Sequence, residues 1–228
     1  MKKNKKPIEF YSTQSLDNDD KAMVLEVLNS DHLTTGPKIE EFEKLISQVC
    51  SNAFALAVNS GTSALTLAYE VCEIGAQSLV WTTPLTFVAT AACAVKLGAS
   101  IDFVDIDSDT LNICPLLLEK KLKIAKKCGR LPDVLTVVHF AGSPVDMEHI
   151  SSLAKKYKFK VIEDASHALG TIFKDQVIGE NRFSDVTVFS FHPVKIITTG
   201  EGGAILLNEK KDFLKARGLR SHGINRES

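Results

Sequence analysis

The sequence predicts an α/β protein in which helices cover a mainly parallel sheet. Short apolar runs typical of buried strands alternate with longer segments whose apolar residues recur at the helical spacing of 3.6 residues. Strands separated by long helices favour βαβ crossovers, which place parallel strands side by side. Such sheets bind ligands beyond the carboxyl ends of their strands, so the residues that follow each strand are the candidates for function.

The first half of the chain alternates helical stripes with buried runs. Asp17 to Asp20 offer capping side chains for a first helix, and Phe42, Leu45, Ile46 and Val49 show the i, i+3, i+4, i+7 stripe of a second. The predicted elements are helices with apolar residues at 24–28 and 42–49, a strand over 53–58, a helix over 64–71, a strand over 79–82, a helix from Pro84 to 97 and a strand over 101–104.

The second half repeats this alternation. Residues 186–191 form its clearest strand pattern, and residues 204–207 are expected to pair with that strand. The predicted elements are a helix over 116–125, a strand over 134–139, a helix over 150–157, strands over 161–164, 186–191 and 204–207, and a basic helix over 210–217.

The composition is that of a folded protein of near-neutral charge. Of 228 residues, 44% are hydrophobic, which excludes global disorder. The 27 basic and 28 acidic side chains leave a formal net charge of −1, which argues against a nucleic-acid partner. At about 150 residues per domain, the length corresponds to roughly one and a half domains.

Several features predict a cytoplasmic location. The five cysteines are scattered without a CxxC motif, which favours reduced, buried thiols, and we predict no metal site. The basic N-terminus is not followed by an apolar segment, so no signal peptide is predicted. Residues 74–95 carry no charge for 22 residues, long enough for a bilayer, but Pro84 and four threonines favour a strand, a turn and a helix inside a core.

Two strand-to-helix junctions carry candidate binding residues. Residues 59–63 (NSGTS) follow a strand, and the amides and hydroxyls of Thr62 and Ser63 at a helix N-terminus suit an anion or phosphate. The alternative is an ordinary helix cap. Phe87 follows the next strand, where an aromatic ring either stacks on a planar ligand or packs in the core.

Asp164 ends an apolar strand, in residues 161–167 (VIEDASH). A carboxylate there suits a cationic ring nitrogen or a metal, or it caps a helix. His167 lies three residues further on, where it contacts the same ligand or serves a structural role.

Lys195 follows a buried strand and a proline, in residues 190–195 (SFHPVK). A partly buried lysine near a cationic group loses its proton readily and becomes a nucleophile for carbonyls, whereas the alternative is a solvated loop lysine. Residues 199–203 (TGEGG) predict a tight, glycine-dependent turn before the next strand. A phosphate cradle, a stacking aromatic, a carboxylate and this lysine are together the parts that hold pyridoxal phosphate (PLP).

The strings 190–195, 199–203 and 161–170 (VIEDASHALG) resemble the sugar aminotransferases of the DegT/DnrJ/EryC1/StrS family. The resemblance runs from about Leu16 to the end. It implies the three-layer large domain of fold-type I PLP-transferases over residues 16–228, an N-terminal arm over 1–15, and a small C-terminal domain that is missing here.

The resemblance also implies a role for each matching residue. Lys195 binds the cofactor covalently and carries the catalytic proton. The other implied positions are Asp164 at the pyridine nitrogen, Phe87 stacked on the ring, Thr62, Ser63 and Ser190 at the phosphate, His167 at the ring hydroxyl where many relatives carry glutamine, and Thr35 and Gly36, within residues 34–37 (TTGP), at the substrate entrance.

The activity implied is transfer of an amino group from an amino acid, glutamate, to a nucleotide-linked keto-sugar. Dehydratases of the family carry histidine in place of the lysine, so Lys195 favours transamination. Residues 191–195 and 141–148 (AGSPVDME) look most like transaminases of pseudaminic acid synthesis, which act on a UDP-linked 4-keto-6-deoxy-N-acetylhexosamine and belong to a family of homodimers.

Two other functions stay open at this point. The first is a non-catalytic remnant of the fold that serves at most as a binding or interaction module. The second is another fold-type I activity, such as an aldolase or a desulfurase. A desulfurase needs a cysteine on a late loop, and no cysteine follows Cys128.

Overall fold

The computed structural model describes residues 12–224. The helices are α1 (Asn18–Leu28), α2 (Pro37–Val49), α3 (Gly61–Val71), α4 (Ala89–Lys96), α5 (Pro115–Lys127), α6 (Met147–Tyr157) and α7 (Lys210–Arg220). The strands are β1 (Phe54–Val58), β2 (Leu79–Thr82), β3 (Ser100–Phe103), β4 (Val134–Val138), β5 (Lys160–Asp164), β6 (Ile172–Phe173), β7 (Gln176–Val177), β8 (Val186–Ser190) and β9 (Gly203–Leu207).

Seven strands form one sheet in the order β1-β9-β8-β5-β4-β2-β3. Neighbours from β8 through β5, β4 and β2 to β3 run parallel, whereas β9 is antiparallel to both β8 and β1. The carboxyl ends of β1, β2, β4, β5 and β8 therefore meet at one edge, where β9 begins. This confirms the predicted α/β class, its mainly parallel sheet and the predicted pairing of residues 186–191 with 204–207.

Helices cover both faces of the sheet, which gives the predicted three layers. Alternate residues of one strand point into different cores: Val134 packs with α3 and α4, and Leu135 packs with α5 and α6. Near β1, Leu56 belongs to the first core, while Ala55 packs with Ile46 of α2 on the opposite face. The sheet is thereby held between two apolar layers.

Several helices begin where the local sequence supplies a capping side chain or a proline. Asp17 accepts hydrogen bonds from the backbone amides of Asp19 and Asp20 and forms a capping box at α1. Asp146 caps α6 through the amide of His149, and Pro115 occupies the first turn of α5. The first turn of a helix has backbone N–H groups without a partner inside the helix. An aspartate side chain accepts from such a group, and a proline has no N–H to satisfy.

Side chains bond the open backbone groups of β1 and β3, the two outermost strands of the sheet. At β1, Glu43 accepts from the Ala57 amide at 2.9 Å, and Arg220, ion-paired with Glu43, donates to the Ala57 carbonyl at 3.2 Å. At β3, Lys121 donates to the Phe103 carbonyl at 2.6 Å. Edge groups that are bonded in this way are less available for pairing with another chain.

The structure differs from the sequence predictions in several places. The hairpin β6–β7 was not predicted, because strands of two residues carry no periodic signal. Helix α4 begins at Ala89 rather than directly after Pro84, and residues 83–88 form a loop. Cys128 is exposed and Cys114 partly exposed, against the prediction that the cysteines are buried, whereas the other three cysteines are buried.

Residues 74–95 divide into β2, the 83–88 loop and α4, as the proline and threonines predicted. Within residues 12–224, no helix has both the length and the apolar character needed to cross a membrane. Most of the proposed N-terminal arm, residues 1–11, lies outside the described part of the chain.

Candidate active site

A cleft of about 380 Å³ lies at the edge of the sheet where the strands end. It contains six of the residues predicted for cofactor binding: Thr62, Phe87, Asp164, His167, Ser190 and Lys195. Asp164 and Ser190 are the last residues of β5 and β8, Thr62 lies in the first turn of α3 after β1, and the other three lie in the loops after β2, β5 and β8. The topology therefore explains why positions far apart in sequence share one cavity. Ser63, Thr35 and Gly36 are not among the lining residues.

The N-terminus of α3 forms one wall of the cleft. Ser60 is its N-cap and accepts from the Ser63 amide at 3.1 Å, while the Ser63 hydroxyl donates to Asn59 at 2.5 Å. A Cβ added to Gly61 would lie 2.8 Å from the Cβ of Ser190, so only glycine lets the helix start this close to the end of β8. The site is therefore both a helix cap and a backbone cradle that suits a phosphate.

Asp164 lies on the floor of the cleft and is 4% exposed. Its Oδ2 accepts from the Thr90 hydroxyl at 2.7 Å, and its Oδ1 accepts from the amide and hydroxyl of Ser166 at 3.2 and 2.6 Å. No ion pair to Asp164 occurs among the described residues. A buried carboxylate is costly without a compensating charge, so a cationic group in the cleft would find a prepared partner.

Hydroxyl groups on the protein side of the cleft hold this carboxylate and the residue that bonds it. Because a carboxylate only accepts, the Thr90 hydroxyl donates to Asp164 and accepts from Thr86, which lies 2.7 Å away. The Tyr69 hydroxyl donates to the Thr90 carbonyl at 2.7 Å and lies 2.8 Å from Thr136. Burial raises the pKa of Tyr69, so this hydroxyl stays protonated as a donor.

Lys195 contacts His167 within the cleft, with a hydrogen-bonding distance of 2.7 Å between Nζ and Nε2. Burial lowers the pKa of Lys195, and the nearby Asp164 acts in the opposite direction. Burial, and then the charge of Lys195, lower the pKa of His167. The lysine is thus held partly away from water beside a base, which is not the environment of a solvated loop lysine.

Phe87 is 71% exposed although it lines the cleft. Core packing, one of its two interpretations from sequence, is therefore excluded for this chain, while stacking on a ligand stays open. Thr35 and Gly36 lie directly before α2, and Gly36 is its N-cap.

The comparisons with known proteins agree with this geometry. Residues 14–228 match the DegT/DnrJ/EryC1/StrS aminotransferase family. The chain belongs to this family. Within it, the chain is 44% identical over 215 residues to a UDP-4-amino-4,6-dideoxy-N-acetyl-beta-L-altrosamine transaminase of Campylobacter jejuni, covering 94% of this chain and 55% of that protein. It is 38% identical to the spore coat polysaccharide biosynthesis protein SpsC of Bacillus subtilis, covering 95% and 54%.

Solved structures show the same fold for this DegT-family chain. Helicobacter pylori PseC, an aminotransferase involved in the biosynthesis of pseudoaminic acid, superposes with a TM-score of 0.88 at 35% identity and covers 96% of this chain and 57% of PseC. The PLP form of Spr1654 of Streptococcus pneumoniae is 28% identical and superposes with a TM-score of 0.84, covering 95% of this chain and 58% of Spr1654. The chain thus spans about half the length of the relatives it matches.

Several residues of this family member's cleft were not singled out as site residues from the sequence. Thr90 and Ser166 hold Asp164, while His139 and Glu201 line the cavity. The His139 ring accepts from the Val145 amide through Nδ1, so its Nε2 carries the proton and donates to Glu163 at 2.7 Å. Ser166 had a sequence signal, a hydroxyl two residues after a strand-end aspartate, whereas Thr90 had none.

Within residues 12–224, the structure contains no group of three or more histidine, cysteine or acidic side chains placed to hold a metal ion. The cleft side chains instead combine hydroxyls, the buried carboxylate of Asp164, the exposed carboxylate of Glu201, three histidines and one lysine. This donor set suits an anionic group at the α3 end and a cationic ring at Asp164.

Proposed function

We propose that this chain binds pyridoxal phosphate and acts as an aminotransferase on a nucleotide-linked keto-sugar. The observation that carries the proposal is that one cleft is lined by Lys195, by the N-terminus of α3 and by the buried carboxylate of Asp164, which makes no ion pair within residues 12–224. Few ligands need a nucleophilic amine, a carboxylate and an anion cradle within one cavity, and PLP is one of them.

Each predicted residue has a role in this proposal. Thr62, Ser63 and Ser190 hold the phosphate at α3. Both donors of Ser63 have partners in this structure, its amide Ser60 and its hydroxyl Asn59, so Ser63 contributes by exchanging one of these bonds for the phosphate. Phe87 stacks on the ring. The remaining proposed roles are Asp164 at the ring nitrogen, His167 at the ring hydroxyl, Lys195 as the covalent and proton-transferring residue, and Thr35 and Gly36 on the substrate side.

When bound, PLP supplies an electron-withdrawing ring that stabilises negative charge on the carbon undergoing proton transfer. The chain's own residues do the rest. Asp164, held by Thr90 and Ser166, keeps a negative charge beside the ring nitrogen. Lys195 accepts and returns a proton through Nζ, and its lowered pKa makes the neutral amine accessible.

The substrate proposal follows from the relatives. The Campylobacter relative is named for a UDP-linked amino sugar, and PseC for pseudoaminic acid biosynthesis. We infer a UDP-linked 4-keto-6-deoxy-N-acetylhexosamine as acceptor and glutamate as amino donor, in the cytoplasm. Residues 16–228 form the cofactor-binding domain in this proposal.

A homodimer is part of the same proposal. Val88 and Ile196 are exposed apolar side chains on two loops, and each is the chain neighbour of a residue that lines the cleft. A second copy of the chain packed there would cover them. Sedimentation velocity of the purified protein measures this directly, and a monomer at all concentrations would contradict it.

The central test is the absorbance of the purified chain after incubation with PLP. We expect a visible band that borohydride abolishes and that Lys195→Ala lacks, whereas Lys210→Ala, a change at an exposed lysine of α7, retains it. Absence of the band in the wild type would refute the cofactor assignment.

An amino-transfer screen with UDP-keto-sugars and glutamate then tests the substrate. Turnover of amino acids alone, with no keto-sugar accepted, would refute the sugar assignment. A normal band without any transfer would favour the alternative of a binding module.

A further inference from the structure

The pair formed by Lys195 and His167 does more than line the cleft. Among the side chains that the structure describes, His167 is the one within hydrogen-bonding distance of Lys195 Nζ, at 2.7 Å. A lysine ammonium has donors and no acceptor, so His167 Nε2 accepts and the ring proton lies on Nδ1. The arrangement places an unprotonated nitrogen directly on a proton of the catalytic lysine.

We propose that His167 is the base that removes the proton from Lys195 when this lysine couples to the cofactor aldehyde. The inference rests on the proposed function. The ammonium form of Lys195 has no lone pair and cannot attack a carbonyl. Transfer of one proton from Nζ to Nε2 leaves a neutral amine and an imidazolium. The amine nitrogen then bonds to the aldehyde carbon, and the carbonyl oxygen leaves as one water molecule.

The charges around the pair are compatible with this transfer. Burial lowers the pKa of Lys195, which favours release of its proton. Burial also lowers the pKa of His167 and makes this ring a weaker base, so the transfer depends on the direct contact at 2.7 Å and on capture of the neutral amine by the aldehyde. Asp164 is the charged group that acts on both and it stabilises a positive charge on whichever nitrogen carries the proton. The total charge of the pair is unchanged by the transfer, so no new buried charge is created.

The other titratable groups of the cleft are engaged elsewhere or lie outside bonding distance of Nζ. His139 donates to Glu163. His192 accepts from the Val194 amide at 3.4 Å through Nδ1, and Glu201 lies before β9. The walls formed by α3 and the 83–88 loop contribute serine, threonine and apolar side chains. His167 is therefore the described base in position to act on Lys195.

The backbone keeps His167 in place for this role. A Cβ on Gly142 would lie 2.8 Å from the His167 carbonyl oxygen, and Gly142 has a φ of +83°, so the loop after β4 packs tightly on the loop that carries the histidine. Thr171 donates to the Gly142 carbonyl at 3.1 Å and ties the two loops together. A preorganised base needs such support, because proton transfer depends on distance and direction.

The test follows cofactor coupling by stopped-flow absorbance of the visible band from pH 6 to 9. His167→Gln keeps a hydrogen-bonding side chain but removes the basic nitrogen. General-base catalysis contributes about a hundredfold or more, so we expect coupling of His167→Gln at pH 7 to slow by about that factor. Its rate should then rise with pH as Lys195 itself loses a proton, and free imidazole should accelerate His167→Ala.

A matched control is His149→Gln on α6, which lies outside the cleft and should couple like the wild type. NMR of the histidine rings in the cofactor-free protein adds a readout independent of coupling, with His167 expected to be neutral and protonated on Nδ1 at pH 7.

Two results would overturn the inference: an unchanged coupling rate in His167→Gln, or a slower rate with the same pH profile, which would indicate a structural role. Failure of the wild type to form any band would refute the proposed function as well, so the two failures are distinguishable.

Discussion

Replacing Thr90 with valine should destabilise the chain measurably, because this hydroxyl belongs to the support of a buried charge. Thr90 is fully buried, and its Oγ1 lies 2.7 Å from Asp164 Oδ2. A hydrogen bond to a charged group contributes about 1.5–3 kcal/mol, so Thr90→Val should lower the free energy of unfolding by about 2 kcal/mol. Thr90→Ser keeps the hydroxyl and loses one methyl group, which costs about 0.8 kcal/mol.

Urea unfolding of the 228-residue chain measures these differences. Thr66→Val is the control, because the partners described for the Thr66 hydroxyl are the Thr62 carbonyl in its own helix and the Cys93 thiol, and neither is a charged carboxylate. In an Asp164→Asn background the cost of Thr90→Val should shrink, since the charge that the hydroxyl serves is gone. Equal stability of wild type and Thr90→Val, or equal costs for the valine and serine variants, would refute the reasoning.

Three further predictions concern the cleft. Gly61→Ala should weaken binding of PLP, because the added Cβ would lie 2.8 Å from the Ser190 Cβ. Equilibrium titration measures the affinity, and Gly75→Ala is the control because no atom lies within 4 Å of the Cβ added there. Phe87→Ala should leave the unfolding free energy unchanged, since the ring is 71% exposed, yet weaken PLP binding in the same titration. Folding lowers the pKa of His167 below 6.5, so the unfolded chain binds this proton more tightly than the folded chain does. Denaturation curves should therefore show the wild type losing stability relative to His167→Gln as the pH falls below 6.5.

The shared position of six predicted residues in one cleft was predictable, because they lie at or after the ends of strands. Asp164 is the last residue of β5, and Lys195 lies in the loop after β8. Apolar runs reveal where buried strands end, and parallel strands bring their carboxyl ends to one edge. Residue type and position together therefore indicated a shared site before any distance was known.

The supporting residues were not predictable in this way. Thr90 is one of several threonines in an uncharged stretch, and its partner Asp164 lies 74 positions away. Nothing local distinguishes it from Thr82 or Thr86. Its role depends on how α4 packs against the sheet, which no periodic pattern in the sequence records.

The sequence by itself determined the alternation of helices and strands and the residue types at the strand ends, because periodicity and capping act over a few neighbouring residues. The tertiary structure alone decided that Lys195 meets His167 across 28 positions, that Asp164 lacks an ion pair among residues 12–224, and that Phe87 stays exposed. These are distances and burials between distant segments, and they exist only once the sheet and its helices have packed.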